Sequence, residues 1–403
     1  MGGRRYGPGV VDDELSRRAL GRALLARQHL LERLPAEADG PALVERLTGH
    51  LVGLQAQNPL SPYVALWGRL QAFAPGDLSA TLLDRRTARI ASMRSTVHLL
   101  TAPDALTLPA LTARRLPRET RDLPPAVLDR IAAHARALVE EAPLRANQLG
   151  TLLAPEFPDV PPADLAYAAR CLLSLVQVTP RGVWQASMAT TWTTAESWFG
   201  SERAAEAPDL TDPDVRAQVL GALVLRYLAA FGPATVADVQ AWCGLTGLAP
   251  VVRALGDRLV QLQSSEPTAG RPRRVLLDLP DAPRPDADAP APVRLLADFD
   301  NVLLSHADRA RIVSDDVRRR LVTPNGAGPG TVLVDGEVAG VWRLRRDATT
   351  TGGVRREVAT LVMEPFVALT SAQQADVRDE AERLLSFLAR DAHDQRVQVL
   401  DLT

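Results

Sequence analysis

Residues 231–245 read FGPATVADVQAWCGL, and this stretch decides the fold that we expect for the chain. Thr235 is a favourable N-cap residue, so we predict that a helix begins directly after it. The apolar spacing predicts one helix before it, over 213–230, and another after it, over 248–258, with a strand at 258–264. Two helices separated by a short turn and followed by a strand have the spacing of a winged helix-turn-helix.

A similar order of elements precedes this stretch twice. In the first copy, a strand is predicted in SMRSTVHLLT at 92–101. The helices expected before that strand are 16–35, 41–57, 61–73 and 77–90. In the second copy, helices over 125–139, 144–153 and 162–178 precede a strand-like stretch at 177–192. We therefore predict three tandem winged-helix motifs, which share structure without a clear sequence period.

The C-terminal part differs because its strand patterns dominate. Residues 331–346 predict a hairpin that turns at Asp335-Gly336, and 349–366 predict a further strand. An amphipathic helix is expected over 371–391. The fold class is α+β, mainly helical, with a C-terminal β-rich part. The expected divisions are a tail (1–15), three winged-helix regions (16–120, 121–212 and 213–265), a Pro-rich linker (266–292) and a C-terminal α/β part (293–403).

Composition excludes several classes of function. The 403 residues include no run of about 20 apolar residues that could span a membrane, and no secretory signal is recognisable. The two cysteines lack the spacing of a zinc site, so we expect a cytoplasmic protein without metal or other cofactor. An aromatic content of 4% argues against binding single strands by base stacking.

The chain also contains no lysine, so its 46 strongly basic residues are all arginine. No lysine amine is therefore present to form a Schiff base with a sugar. If the chain cleaves a glycosidic bond, water must be the nucleophile, unless an N-terminal amine acts instead.

The first candidate site is Gln55-Ala56-Gln57 within GLQAQNP, where Asn58-Pro59 turns the backbone away from helical geometry. Two neighbouring amides supply acceptors and donors but no base. They can orient a water molecule and place carbonyl dipoles beside a developing cation. The alternative is that they cap a helix end and bond the following loop.

Two further stretches carry clustered polar residues. Arg94, Thr96 and His98 are predicted to alternate on one strand face, where they would meet DNA or simply form an ordinary polar surface. In DFDNVLLSHADR, Asp298 and Asp300 are candidates for a general base, although a turn-capping role is equally open to Asp300.

A third stretch, RLRRDATTTGGVRRE at 343–357, holds five arginines against two acids. A basic hairpin with a Thr/Gly tip is suited to reach phosphates or enter a groove, and the alternative is a solvated loop. Its candidate contacts to DNA are Arg345, Arg346, Arg355 and Arg356.

Five segments in order resemble the bacterial winged-helix DNA glycosylases of the AlkZ-like, azinomycin-resistance type. They are GLQAQ (53–57), MRSTVHLL (93–100), FGPATVADVQAW (231–242), FDNVLLSHADR (299–309) and VLVDGEVAGVWRL (332–344). The resemblance covers roughly residues 15–400. It implies a C-shaped arrangement of three winged helices around a DNA channel. It also maps the family's glutamine–hydrophobic–glutamine motif onto Gln55, Ala56 and Gln57, and its DNA-inserting hairpin onto about 343–357.

The resemblance further implies a monofunctional DNA glycosylase that removes N7-alkylguanine or bulky natural-product adducts from double-stranded DNA, with crosslink unhooking as a further expectation. Gln57 would position the attacking water and Gln55 would contact the sugar or phosphate. The expected DNA contacts are Asn58, Arg94, His98, Asn301, His306, Arg345, Arg346, Arg355 and Arg356. The chain is expected to act as a monomer, in antibiotic self-resistance or repair, without a membrane or an obligate protein partner.

Two other functions remain open from the sequence. A winged-helix regulator without catalysis would prefer one DNA sequence and would ignore lesions. A resistance protein that sequesters a drug would bind the natural product without DNA. Release of a base from damaged DNA separates the glycosylase from both.

Overall fold

A computed structural model describes residues 10–112, 116, 118–265, 273–321, 328–351 and 354–402. The fold is a mixed α+β fold. The helices up to residue 172 are α1 Arg17–Arg27, α2 Gly40–His50, α3 Ser61–Arg69, α4 Pro75–Leu83, α5 Ala102–Leu111, α6 Arg118–Arg121, α7 Pro125–Glu141, α8 Ala146–Leu153 and α9 Pro162–Leu172. The later helices are α10 Ala195–Phe199, α11 Ser201–Ala205, α12 Pro213–Phe231, α13 Val236–Cys243, α14 Ala249–Ala254, α15 Asn301–Leu304, α16 Asp315–Leu321 and α17 Ser371–Leu388. None of these described helices combines the length and apolar character needed to cross a membrane.

The strands of the described residues form three sheets. The first sheet has the order β1 Val10–Leu15, β7 Val260–Ser264 and β8 Val275–Asp278. The second has the order β2 Leu54–Gln55, β4 Val97–Thr101, β3 Thr87–Ala91, β5 Leu175–Gln177 and β6 Trp192–Thr194. The third has the order β13 Asp394–Val399, β12 Val354–Pro365, β11 Glu337–Thr351, β10 Gly330–Val334 and β9 Arg294–Leu296. Neighbouring strands are antiparallel except β1–β7 and β12–β13, which are parallel.

The stretch that decided the fold expectation forms the predicted helices. Thr235 is the N-cap of α13 and makes a reciprocal capping box with Asp238. Gly244 ends that helix in the left-handed conformation, which glycine adopts without a steric penalty. The helix α12 before it and the strand β7 after it are also confirmed. Three winged-helix motifs and a C shape remain predictions.

Several predicted boundaries are wrong. The helix expected over 41–57 ends at His50, because the chain turns through positive φ values at Val52 and Gly53 and then enters β2. The helix expected over 77–90 ends at Leu83 and its last residues belong to β3. Only β5 and β6 are strands around the stretch 177–192. Pairing across the second sheet, absent from local patterns, overrides the helical spacing in these places.

Two regions expected to be unstructured contain strands. β1 falls within the predicted tail 1–15, and β8 falls within the predicted linker 266–292. Both pair with β7, so the first sheet joins segments that are about 250 residues apart in sequence. By contrast, the predicted hairpin is confirmed, with Asp335 and Gly336 at positive φ between β10 and β11.

One hydrophobic core spans the N-terminal helices and the C-terminal sheet. It contains Leu54 and Ala56 from β2 and the residue after it, together with Leu295 and Ala297 from β9 and its continuation. Ion pairs connect the same regions, since Arg69 at the end of α3 binds Asp300 at the start of α15. The segment 54–58 therefore lies where these two parts of the chain pack together.

Candidate functional site

The backbone of Gln55-Ala56-Gln57 is held by hydrogen bonds on two sides. Gln55 lies opposite His98 in the β2–β4 ladder, and the Ala56 amide donates to the Val97 carbonyl at 2.8 Å. The Ala56 carbonyl accepts from Nη2 of Arg89 at 2.7 Å. The Ala56 side chain is fully buried in the core. A small apolar residue between the two glutamines thus fixes the segment, because its methyl group packs inward.

The two glutamines have different environments. The Gln55 side chain is 8% exposed, and its buried Oε1 finds no hydrogen-bond partner among the described residues. Gln57 is exposed, and its Oε1 accepts from the Val97 amide at 3.4 Å. Buried acceptors are nearly always satisfied in proteins, so the Gln55 Oε1, unpaired among the described residues, is available to a ligand or a water molecule.

Arg89 binds the backbone of this segment from the protein interior. The sequence analysis did not identify it. Its side chain is fully buried, and its Nε and Nη1 atoms have no partner among the described residues. Burial, together with the charge of Arg181, lowers the pKa of Arg89 to about 10. Residues 87–90 were expected to belong to a helix, so no sequence pattern placed this guanidinium against the Ala56 carbonyl.

The turn after Gln57 meets a carboxylate from the C-terminal part. Asp298 accepts a hydrogen bond from the Ser61 hydroxyl, and the nearby Asn58 side chain lowers the pKa of this carboxyl. Asn58 Oδ1 itself accepts from the Leu60 amide at 3.0 Å. Burial raises the pKa of Asp298, with a smaller contribution from the charge of Asp300. Sequence reasoning named Asp298 and Asn58 but not their contact.

Asp300 and Asn301 stabilise the fold instead of facing a ligand. Asp300 accepts two hydrogen bonds from the Arg69 guanidinium, at 2.8 and 2.9 Å, and both side chains are fully buried. It also caps α15 through the Val302 amide. Asn301 donates from Nδ2 to the Gly53 carbonyl at 2.8 Å, which fixes the turn before Gln55. A general-base role for Asp300 is therefore wrong, and the predicted DNA contact of Asn301 disagrees with this internal bond.

The two histidines expected to contact DNA are interior residues. His98 is 2% exposed, its Nδ1 bonds the Thr96 carbonyl, and burial lowers its pKa to about 3. His306 is 3% exposed, its Nε2 bonds the Phe231 carbonyl, and burial lowers its pKa to about 3 as well. This burial disagrees with both predicted DNA contacts, because a buried neutral imidazole presents no charge to a phosphate.

Arg94 has an unexpected geometry beside β4. It lies in a 3₁₀ turn over Met93–Ser95 with φ of 53°, so Arg94, Thr96 and His98 do not share one strand face. Its guanidinium donates to the Trp242 carbonyl, and burial and the charge of Arg309 lower its pKa. Arg170 donates to the Ser95 carbonyl at 3.0 Å. Partly buried guanidinium groups thus gather around this turn.

The arginines of the long β11–β12 hairpin fall into different classes. Arg345 and Arg356 are exposed, and Arg345 pairs with Asp347 at 3.3 Å. Arg346 binds Glu357 and Asp391 and donates to the Leu388 carbonyl, so its prediction as a DNA contact conflicts with these bonds. The side chain of Arg355 lies outside the described residues.

Metal ligation has no support in the described ranges. No group of three or more His, Cys, Asp or Glu residues within them could hold a metal ion. Cys171 and Cys243 are not joined in a disulfide.

Comparisons with known proteins place this geometry in context. The family model described as DNA glycosylase AlkZ-like matches residues 48–387, which include the glutamines and Asp298. The solved structure of Streptomyces sahachiroi DNA glycosylase AlkZ is similar in fold, with a TM-score of 0.71 and 21% sequence identity, and the similarity covers 96% of this chain and 100% of that chain. No curated protein matches the sequence. The match over most of its length shows that the chain belongs to the AlkZ-like DNA glycosylase family.

Proposed function

We propose that this DNA glycosylase is monofunctional and hydrolyses the N-glycosidic bond of N7-alkylguanine in double-stranded DNA, with Gln55 and Gln57 in contact with the reacting nucleotide. One observation carries the proposal. The buried Gln55 carbonyl oxygen has no hydrogen-bond partner among the described residues, and the Gln57 amide two residues later is exposed. Family membership supports the glycosylase activity itself. The substrate class and the roles of the two residues are our own assignments.

The chemistry suits two amides because the substrate is already activated. Alkylation at N7 makes guanine cationic, so the base leaves as a neutral molecule and needs no strong general acid. The sugar becomes positively charged as the bond breaks, and preorganised dipoles stabilise such charge most effectively away from bulk water. Gln55 Oε1 is buried enough to act in that way, and we assign it to the sugar or phosphate.

Gln57 has the environment needed to position water. Its exposed amide is tethered at one end by the Val97 amide, which limits its rotation while leaving the group accessible. An amide cannot take a full proton from water, so it acts by orientation and by charge stabilisation. Because the chain contains no lysine, no lysine side chain can form an imine with the sugar, and we expect free abasic sites as the product.

Positively charged groups with exposed surface supply the proposed contacts to the DNA backbone. Arg94 keeps part of its surface exposed beside β4, and Arg345 and Arg356 are exposed on the hairpin. Asn58 is exposed next to Gln57. Phosphate contacts of this kind fix the register of the duplex without reading its sequence. The same groups would serve a simple methyl lesion, a bulky natural-product adduct or a crosslink, in repair or in antibiotic self-resistance. We further propose that the protein acts in the cytoplasm as a monomer.

The test compares a duplex containing one 7-methylguanine with an undamaged duplex of the same sequence. We expect release of 7-methylguanine and heat-labile abasic sites from the damaged duplex alone, with no covalent complex after borohydride treatment. Binding of both duplexes without base release would instead identify a non-catalytic regulator. Covalent trapping with borohydride would contradict the monofunctional mechanism.

A further inference from the structure

We infer that Asp298 is a positioning residue of the glycosylase site, whose carboxylate holds the turn Asn58–Ser61 and thereby fixes the orientation of Gln57. The inference rests on the proposed function, since it assigns Asp298 a part in presenting Gln57 to the damaged nucleotide. It differs from a general-base role, because Asp298 acts here through its neighbours.

The hydrogen bonds supply the first argument. Asp298 accepts from the hydroxyl of Ser61, the first residue of α3, and it interacts with the side chain of Asn58, which directly follows Gln57 and lowers the pKa of this carboxyl. Asn58 Oδ1 is already bound by the Leu60 amide, so its NH2 group is the donor to the carboxylate. One ionised carboxylate therefore contacts both ends of the turn, and its negative charge strengthens the bonds that it accepts.

The second argument is that Asp298 is itself firmly anchored. Ala297 before it belongs to the buried core that contains Leu54 and Ala56. Asp300 after it forms the fully buried ion pair with Arg69. Phe299 between them has φ of 58°, a conformation that non-glycine residues adopt only when their surroundings impose it. The Asp298 carboxylate is thus a fixed point against which an otherwise exposed turn can be held.

The third argument concerns stability. Burial raises the pKa of Asp298, and the charge of Asp300 adds to this, although the bonds from Ser61 and Asn58 act in the opposite direction. Asp300, on the same segment, is a charged group that acts on Asp298, and Arg69 of the packed helix α3 is engaged by Asp300. An acid with a raised folded pKa makes folding less favourable when it is ionised, at pH values above that pKa. A carboxylate kept at such a position is better explained by function than by stability.

The test uses Asp298→Asn, which keeps the shape of the side chain but cannot accept from both Asn58 and Ser61 through two charged oxygens. Its matched control is Asp379→Asn, an exposed carboxylate on α17 that removes the same charge. Single-turnover release of 7-methylguanine and the midpoint of thermal unfolding are measured for both variants and for the wild type between pH 5 and 8.

At pH 7 we expect Asp298→Asn to release base about tenfold to a hundredfold more slowly, because small displacements of a positioning group have effects of this size. Its unfolding midpoint should equal or exceed that of the wild type. The decline in wild-type rate towards acidic pH, as Asp298 takes up a proton, should be weaker in this variant. Asn58→Ala should slow the reaction as well, and the double variant Asn58→Ala/Asp298→Asn should be no slower than the slower single variant.

Two outcomes would overturn the inference. One is a wild-type rate in Asp298→Asn, and the other is a rate loss that matches a fall in the folded fraction with the pH profile unchanged. If the proposed function itself is wrong, the wild type and Asp379→Asn will release no base either. This result distinguishes that failure from a failure of the inference about Asp298.

Discussion

The segments GLQAQN (53–58) and FDNVLLSHADR (299–309) both carry clustered polar side chains, but they differ in what their polar atoms do. In the second segment, Asp300 binds Arg69 and His306 binds the Phe231 carbonyl, both away from solvent. In the first, the Gln55 carbonyl has no partner in the described part of the chain and the Gln57 amide is exposed. Polar side chains that are satisfied internally hold the fold, whereas those left unsatisfied or exposed by a rigid backbone are available to a substrate.

The largest effect should come from breaking the structural segment. Asp300→Ala leaves the Arg69 guanidinium buried without its carboxylate, which typically lowers the free energy of unfolding by about 3–5 kcal/mol. Denaturant unfolding of Asp300→Ala and of the exposed control Asp379→Ala measures this difference. A loss below about 1 kcal/mol would mean that the pair contributes little and that the contrast between the segments is smaller than we argue.

The segment that we propose to be catalytic should respond in activity rather than in stability. Gln57→Ala removes one preorganised amide, and the expected loss is about 100-fold in single-turnover base release, or about 3 kcal/mol. The free energy of unfolding should stay within about 0.5 kcal/mol of the wild type, because the side chain is exposed. Gln374→Ala, at an exposed position of α17, is the control. An unchanged rate in Gln57→Ala would remove this residue from the mechanism.

The smallest effect follows from the buried histidines. In the folded protein His306 has a pKa of about 3, below the value of about 6.5 for an unfolded chain, so the unfolded state takes up a proton first as pH falls. Its contribution to stability is complete above pH 6.5 and is lost between 6.5 and 3, by about 1.4 kcal/mol per pH unit. Unfolding measured at pH 7, 6 and 5 should show a shallower decline in His306→Gln than in the wild type. Equal slopes would place the proton uptake elsewhere.

Local sequence patterns predicted those structural elements that depend on neighbouring residues alone. The capping box at Thr235 and the turn at Asp335-Gly336 were readable because neighbouring residues determine them. The end of α2 was not, because Val52, a β-branched residue, adopts a positive φ that its residue type disfavours. The burial of His98 could not be read either, since it depends on packing across the second sheet.

In the candidate site, too, some features could be predicted from the sequence and others could not. The resemblance assigned Gln55 and Gln57, and the sequence also marked Asp298 as a candidate. Sequence spacing gave no indication that Asp298 contacts Asn58 and Ser61, since 237 residues separate Asp298 from Ser61. Arg89 was missed altogether, because a buried arginine that bonds a carbonyl looks like any other basic residue in a strand.

The long separations between partners bear on how the protein is made. Arg69 and Asp300 are 231 residues apart, and Arg33 and Glu380 are 347 residues apart. At about 5–20 residues per second, a ribosome needs on the order of tens of seconds to pass from one partner to the other. During that interval the nascent chain already displays both glutamines, yet it lacks the acid that binds Arg69 and the strands that complete the core. An unfinished chain therefore lacks contacts that hold the segment of the two glutamines, and we expect base excision only when synthesis is nearly complete.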